Sequence, residues 1–302
     1  MENNNLINDS QMQNSPLSAE EERLLEAALT DSINNSTGEP IEEPVEEPAN
    51  EVHNNIPVNS SIITINRATS RFSGAVWYDK MKELSVLLVG AGGIGSHLAL
   101  LLGRFYVDEL EIYDPDVVEE ANMAGQLYSQ DSIELYKVGE IARTIIEYCP
   151  NTGNRVHTFA QNYSLSTPAS KITIGAVDNM STRKTIFANW LSLVIDAPAE
   201  SRHEYLLLDG RLSPEEFQVF AIQGDDDFSI NEYRTKWLFP DEEAETTSCS
   251  YKQTTYMASM IASVMANVLA NFATNLCNPP VERPVPFLTQ YDATTMFMKS
   301  QL

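Results

Sequence analysis

The sequence predicts an α/β domain, in which a doubly wound, mostly parallel sheet carries helices on both faces, preceded by a disordered acidic N-terminal tail. From about Ile62 onward, strand-like and helix-like segments alternate, which is typical of a parallel sheet covered by helices. The uninterrupted apolar strand Val86 to Val89 runs directly into a glycine-rich turn that opens a helix. Acidic residues are concentrated before this region, at the N-terminus of the chain.

The first 60 residues contain 13 acidic residues and one arginine, in a chain of 302 residues with a formal net charge of −24. They also contain Asn-rich runs and a Glu-Glu-Pro repeat between Glu42 and Pro48. Such a segment buries too little apolar surface to offset the entropy of ordering it, so we predict disorder over 1–60 and one folded domain over 61–302. The negative charge also argues against a nucleic-acid partner.

One short helix is predicted inside the tail, over residues 18–33. Ser18 and Glu21 have the spacing of a capping box, and Leu24, Leu25, Ala28 and Leu29 share one face. The acidic run before this face resembles a ubiquitin-interacting motif, which predicts a contact with a ubiquitin fold. The alternative is an amphipathic helix with no partner.

The elements of the folded part follow from apolar periodicity and chain punctuation. Strands are predicted at Val86 to Val89, Glu109 to Tyr113, Arg155 to Phe159, Ile172 to Ala176, Tyr205 to Leu208 and Glu216 to Ile222. Helices are predicted at about Gly95 to Tyr106, Val138 to Tyr148 and Ser181 to Trp190, with a long uncharged helix within Gln253 to Cys277. The large apolar residues of this last helix form a one-sided stripe, which favours a core or a subunit interface over a membrane span.

Cysteine use and the N-terminal composition indicate the cellular compartment. The chain has three cysteines and no paired CxxC motif, so neither a disulfide framework nor a structural zinc site is expected. The N-terminus has no basic and apolar signal regions. We therefore expect a reducing, cytoplasmic compartment.

The glycine turn predicts a nucleotide site. Gly90, Gly92 and Gly95, with Gly93 between them, have the spacing that lets main-chain N–H groups at a helix start face a phosphate. Such turns serve NAD, FAD, S-adenosylmethionine and ATP. Asp114 ends the second strand 19 residues after Gly95, where a carboxylate can accept hydrogen bonds from a ribose, and this suits either NAD or ATP.

Three further segments distinguish between these ligands. Residues 114–126 have the outline D-x-D-x-V-x-x-x-N-hydrophobic-x-x-Q, Lys137 follows in Tyr-Lys-Val-Gly, and Asp178-Asn179 with Arg183 ends a later strand. With the glycine turn, these motifs resemble the ThiF-type adenylyltransferases, which include ubiquitin-activating enzymes and activators of sulfur-carrier proteins. The resemblance covers roughly Arg71 to Phe220. It implies a Rossmann-like, usually dimeric domain that uses ATP and magnesium to adenylate the C-terminal carboxylate of a small carrier protein.

The resemblance also implies roles for individual residues. Lys137 would hold the phosphates, Asp178 would ligate magnesium, Asp114 would bind the ribose, and Asn122 and Gln126 would donate hydrogen bonds near the phosphates. Asp116 belongs to the same nucleotide-binding segment, and Arg71 is the arginine retained from the family's N-terminal motif. The alternatives are structural: Asp114 as a strand-end cap, Lys137 as a solvated lysine at a helix start, and Asp178 as a helix N-cap.

Two arginines of the family pattern are replaced by glycine, at Gly74 and Gly125. Arg67, Arg104 and Arg183 are candidates to substitute for them. The alternative functions are therefore a nucleotide-binding partner subunit with reduced catalysis and, from the glycine turn alone, an NAD-linked oxidoreductase.

Cys249 precedes the long uncharged helix. Relatives that pass their substrate on as a thioester use a cysteine beyond the adenylation core, and a thiol at a helix N-terminus can have a lowered pKa. The alternative is a small residue that packs the start of the helix.

Overall fold

One eight-stranded mixed sheet forms the centre of the domain. The computed structural model describes residues 65–72, 74–240, 254–278 and 281–301. The strands are β1 (Ser85–Val89), β2 (Glu109–Tyr113), β3 (Val156–Phe159), β4 (Ile172–Gly175), β5 (Leu206–Leu212), β6 (Glu216–Gln223), β7 (Leu288–Asp292) and β8 (Phe297–Gln301). Their order in the sheet is β3-β2-β1-β4-β5-β6-β7-β8. The first five are parallel, and β5 to β8 pair in antiparallel fashion.

Seven α-helices connect or flank these strands in the described residues. They are α1 (Ile65–Ala68), α2 (Val76–Met81), α3 (Gly93–Phe105), α4 (Lys137–Tyr148), α5 (Met180–Asp196), α6 (Asp227–Glu232) and α7 (Thr255–Asn275). Short 3-10 turns lie at Ser70–Phe72, Glu120–Asn122, Gln130–Ser132, Gly153–Arg155 and Ala199–Glu204, and a π-helical turn at Tyr233–Trp237 follows α6.

The two faces of the sheet are covered by different helices, as the sequence predicts. On one face, Val86 and Leu88 of β1 belong to the hydrophobic core, to which α3, α4 and α7 also contribute buried side chains. On the other face, Phe187 of α5 contacts the ring of Tyr233, and Phe220 of β6 contacts the same ring from the sheet. Because β1 is buried on both faces, it has no polar side chain after Ser85.

The long uncharged helix α7 packs in the core. Met257, Ile261 and Met265 have no exposed surface, and the helix lies against α3 and α2. Among the described residues it is the only helix whose length and hydropathy could span a bilayer, and 67% of that apolar stretch is buried in the fold. The apolar stripe of α7 therefore packs in the interior of the domain.

Two features of the sheet depart from the predicted elements. The predicted strand from Tyr205 to Leu208 continues through Asp209, Gly210 and Arg211 to Leu212, because the charged side chains find partners inside the protein. The hairpin β7–β8 was not predicted at all. Every side chain of β8 is exposed, so its sequence lacks the apolar alternation that marks a strand.

We expect truncation of the buried stripe of α7 to destabilise the fold. Ile261→Ala should lower the free energy of unfolding by about 2–4 kcal/mol, since the vacated volume is enclosed by the core. Ser263→Ala, two residues away on the exposed face, is the matched control and should change stability by less than about 0.5 kcal/mol. The measurement is urea denaturation followed by circular dichroism. Equal effects of the two substitutions would contradict the assigned orientation of the helix.

Candidate active site

The candidate site lies at the topological switch point of the sheet, where strands β2 and β3 extend to one side of β1 and strands β4 and β5 to the other. β1 pairs with β2 on one side and with β4 on the other. The connections that leave these strands diverge and open a crevice at their carboxyl ends, where α/β sheets bind ligands. Gly90, Asp114 and Ala176 immediately follow β1, β2 and β4, so the motifs predicted from separate parts of the sequence meet at one edge.

The glycine turn depends on main-chain contacts that a side chain would obstruct. Gly90 has φ of +98°, and a Cβ at this position would lie 2.5 Å from the carbonyl oxygen of Ala176. A Cβ at Gly95 would lie 1.9 Å from the carbonyl oxygen of Gly90. Gly92 is the N-cap of α3 and Gly93 its first residue, so the first turn of the helix starts within the crevice. This arrangement suits a phosphate, which the N–H groups and the helix dipole attract.

Asp114 fastens the glycine turn to the end of β2. Its Oδ2 accepts the Ala91 N–H at 2.7 Å, and its Oδ1 accepts the Asp116 N–H at 2.8 Å. Burial raises the pKa of this carboxyl, while the two N–H groups and the nearby Lys137 oppose the rise. Asp114 therefore has the structural role that the sequence analysis gave as the alternative, that of a cap at the end of a strand. A ribose bound here would contact a carboxylate that already stabilises the turn.

Lys137 is held at the start of α4 by an ion pair. Its Nζ lies 2.8 Å from Asp116 Oδ2, and its main-chain N–H donates to the Asp116 carbonyl. The Lys137 side chain is 8% exposed and that of Asp116 is 61% exposed. Lys137 is thus not a solvated lysine. The ammonium is largely buried, and its partner carboxylate faces solvent.

The segment after Asn122 places an amide beside the glycine turn. Gln126 Nε2 lies 4.0 Å from where a Cβ of residue 92 would be, and Gln126 Oε1 is buried without a hydrogen-bond partner in the described residues. Asn122 Oδ1 instead accepts the Glu119 N–H at 2.9 Å in a capping box, so Asn122 shapes the loop that presents Gln126.

Two residues that the sequence analysis missed hold this loop against the turn. Ser96 Oγ accepts the Leu127 N–H at 3.0 Å, and the Tyr128 hydroxyl donates to the Ala91 carbonyl at 2.5 Å. Burial, with Asp114 nearby, raises the pKa of Tyr128, so the phenol stays protonated and remains a donor. The position of Ser96, directly after Gly95, was a usable signal. Nothing in the sequence marked Tyr128.

Asp178 is exposed at the carboxyl end of β4, next to the crevice. The N-cap of α5 is Asn179, whose side chain accepts the Thr182 N–H at 2.8 Å, so the proposed capping alternative for Asp178 is wrong. The described residues contain no cluster of three metal-ligating His, Cys, Asp or Glu side chains. The exposed Asp178 carboxylate, whose Oδ1 accepts from Asn179 Nδ2 at 3.4 Å, is compatible with magnesium, which commonly binds one or two carboxylates together with phosphates.

The predicted arginines do not converge on the glycine turn. Arg71 is exposed in the turn Ser70–Phe72, and Phe72 packs on Phe105, which ends α3 about 18 Å from its first residue. Arg104 lies over the Tyr148 ring at the same end of α3. Arg183 is buried and donates to Asp209 Oδ1 at 3.0 Å, so this guanidinium is already paired. Arg67, on α1, is exposed.

Two of the three cysteines, Cys149 and Cys277, lie in the described residues. Cys149 is buried at the end of α4, and burial raises its pKa, which is the behaviour of a packing thiol. Cys277 is half-buried after α7. Cys249, the candidate nucleophile, lies outside the described residues, as does the predicted helix at 18–33.

Comparisons with known proteins agree with this geometry. The ThiF family profile matches residues 65–301. Among curated proteins, Ubiquitin-like modifier-activating enzyme 5 of Drosophila grimshawi is 33% identical over 148 residues, covering 42% of this chain and 37% of that protein. Its counterpart in Caenorhabditis elegans is 37% identical over 82 residues, covering 27% of this chain and 20% of that protein. The matches thus span well under half of these relatives.

Solved structures share the fold. PaaA superposes with a TM-score of 0.57 and 19% identity, covering 80% of this chain and 84% of PaaA. Escherichia coli MccB with ATP superposes with a TM-score of 0.55 and 16% identity, covering 75% of this chain and 66% of MccB. The family profile, which covers nearly the whole described region, and the convergence of the four motifs at one sheet edge lead to the same conclusion: the chain belongs to the ThiF family.

Proposed function

We propose that the protein is an ATP-dependent adenylyltransferase that activates the C-terminal carboxylate of a small ubiquitin-like or sulfur-carrier protein. This proposal rests on one observation: the glycine turn, Asp114 and Asp178 converge at the crevice, beside the largely buried Lys137. The similarity to ubiquitin-like modifier-activating enzymes supports a ubiquitin-like substrate. The family membership and the shared fold of MccB, which was solved with ATP, support ATP as the nucleotide.

The proposed reaction joins two anions, and the site residues are suited to that difficulty. A carboxylate oxygen of the carrier attacks the α-phosphorus of ATP, the bond to the bridging oxygen breaks, and an acyl adenylate and pyrophosphate result. The charge on the phosphates must be offset in the transition state. The first turn of α3 provides main-chain N–H groups. Lys137 provides a positive charge, which forms an ion pair with Asp116 in the absence of a ligand.

Other residues of the site would orient the nucleotide. Gln126 lies with its Nε2 beside Gly92, and its buried amide oxygen has no partner among the described residues, so a donor group of a bound ligand would satisfy that oxygen. Asp178 would hold magnesium, which supplies charge neutralisation at the departing pyrophosphate. Asp114 is rigidly placed by two main-chain N–H groups, so its oxygens are oriented before any ribose arrives.

A second step is proposed at Cys249. Its thiolate attacks the acyl carbon of the adenylate, AMP leaves, and the carrier is retained as a thioester. We further propose that the protein acts as a homodimer in the cytoplasm. Cys149 and Cys277, the described cysteines, carry free thiols, which suits a reducing compartment.

A nucleotide-binding partner subunit with reduced catalysis is the second candidate. The observation in its favour is the missing pair of guanidiniums: Gly74 and Gly125 stand where the family pattern has arginine, and the pairing of Arg183 with Asp209 leaves that residue unable to replace them. Such a subunit would bind ATP without turning it over. Pyrophosphate exchange separates the two candidates.

Substitution of the two charged site residues tests catalysis. Lys137→Ala and Asp178→Ala should each reduce carrier-dependent exchange of labelled pyrophosphate into ATP by about 10²-fold or more, because each removes charge compensation at the phosphates. Small proteins that end in Gly-Gly are the carriers to be assayed. Asp196→Ala, at the exposed far end of the helix that follows Asp178, is the control and should retain full exchange. Absence of exchange by the unaltered protein with every carrier would favour the partner-subunit function.

Ligand-induced stabilisation tests the nucleotide. ATP with magnesium at 100 times its dissociation constant should stabilise the native state by about 2.7 kcal/mol, which appears as a raised Tm in a thermal-shift assay. NAD at the same concentration should leave the Tm unchanged. The opposite pattern, with stabilisation by NAD alone, would support an oxidoreductase and exclude adenylation.

Substitution of Cys249 tests the second step. Cys249→Ala should retain pyrophosphate exchange and lose the carrier adduct that migrates on a non-reducing gel and disappears with a reducing agent. Cys277→Ala is the matched control and should form the adduct normally. Retention of the adduct in the Cys249→Ala protein would show that Cys249 is not the nucleophile.

A further inference from the structure

Four side chains that the proposed reaction does not use form a buried polar network around the middle of β5, here named the Asp209 cluster: Arg183, Asp209, Arg211 and Tyr233. Asp209 Oδ1 accepts from Arg183 Nε at 3.0 Å. Asp209 Oδ2 accepts from Arg211 Nε at 2.7 Å and from the Tyr233 hydroxyl at 2.9 Å. One carboxylate thus binds groups from β5, from α5 and from the π-helical turn.

The cluster is charged although it lies in the interior. Burial acts to raise the pKa of Asp209, but the guanidiniums of Arg183 and Arg211 outweigh burial and lower it below its usual value. Burial and the Asp209 charge raise the pKa of Tyr233, so the phenol remains a neutral donor. Buried ion networks of this kind add little net stability compared with apolar side chains of similar volume. The main effect of the Asp209 cluster is therefore the geometry that it imposes on the segments it connects.

The two arginines of the Asp209 cluster also donate to main-chain carbonyls. Arg183 Nη2 donates to the carbonyl of Val177, the residue immediately before Asp178, and also reaches the Gly210 carbonyl at 3.4 Å. At the opposite end, Arg211 Nη2 donates to the carbonyl of Trp237 at 2.9 Å. The cluster therefore connects the segment that carries Asp178 to the end of the π-helical turn.

We propose that Arg183 is a positioning residue, which fixes the Val177–Asp178 peptide to the buried Asp209 and so holds the Asp178 carboxylate at the crevice for the divalent cation of the bound nucleotide. This inference rests on the proposed function for the role of Asp178. The Asp178 carboxylate accepts a hydrogen bond from Asn179 Nδ2 at 3.4 Å, but both of these side chains are exposed. The contact that ties this peptide to the protein interior is the one from the buried Arg183 to the Val177 carbonyl.

The geometry of guanidinium explains why arginine stands at this position. Its planar fork donates from Nε to the Asp209 carboxylate while Nη2 faces the Val177 carbonyl. A lysine would preserve the charge next to Asp209, but its single ammonium cannot reproduce the two fixed directions.

Arg183→Lys in the full-length protein tests the proposal without a carrier. Hydrogen–deuterium exchange of the peptide that covers residues 176–180 should become about tenfold faster. The magnesium concentration that gives half of the maximal thermal stabilisation by ATP should rise about tenfold. Arg202→Lys is the matched control: this guanidinium also donates to two main-chain carbonyls, those of Ile195 and Ala197, at the other end of α5. It should leave both measurements unchanged.

Tyr233→Phe separates positioning from general loss of stability. It removes one donor to Asp209 but leaves the contact of Arg183 with Val177, so it should lower the Tm without altering the magnesium requirement. If Arg183→Lys does not fold, Arg183→Gln takes its place, because one amide cannot contact Asp209 and Val177 together.

The outcomes distinguish this inference from the proposed function. If the unaltered protein shows magnesium-dependent stabilisation by ATP, and Arg183→Lys shows the same magnesium requirement and unchanged exchange over 176–180, the positioning role is overturned and the nucleotide site stands. An equal rise of the magnesium requirement in the Tyr233→Phe protein would also overturn it, since loss of stability would then explain both. If ATP fails to stabilise the unaltered protein at any magnesium concentration, the proposed function itself fails.

Discussion

The site depends on a main-chain contact that only glycine permits. The carbonyl of Gly90 occupies the space that a Cβ of Gly95 would need, and Gly90 itself lies against the carbonyl of Ala176. These contacts bring the ends of β1 and β4 and the first turn of α3 close enough to form one crevice. Asp114 then locks the arrangement by accepting the Ala91 N–H, so a buried carboxylate fixes the conformation of the turn. The charge of Asp114 and the shape of the phosphate-binding turn are therefore parts of one structure.

Around this turn, charges are paired before any ligand is present. Lys137 is held by Asp116, and Arg183 is held by Asp209. The first pair leaves a carboxylate facing solvent, so an incoming phosphate can compete for the ammonium. The second pair is buried on both sides, so its guanidinium serves the protein interior. Because the whole chain carries a formal charge of −24, its overall field repels an anionic substrate, and the local arrangement of charges decides where one can bind.

Two arginines of the family pattern are absent, so few positive groups lie at the crevice. Gly125 and Gly74 carry no guanidinium, Arg71 and Arg104 lie toward the far end of α3, and Arg183 is committed to Asp209. Within the described part of one chain, Lys137 and the helix N-terminus are thus the positive groups that the crevice offers. An anionic ligand in this crevice would therefore depend on these two positive groups.

The parallel half of the sheet, the core helix α7 and the glycine turn before α3 could be predicted from the sequence. Each depends on local patterns: an apolar run, a one-sided stripe, or glycines at fixed spacing before a helix. The sequence did not determine the hairpin β7–β8, whose exposed strand has no apolar alternation, or the extension of β5 through Asp209 and Arg211. Two further features required the folded structure: Asn179, rather than Asp178, caps α5, and the Arg183 side chain pairs with Asp209 in the interior. Those outcomes depend on pairings between residues distant in the chain, and a polar side chain carries no local sign of which distant partner will satisfy it.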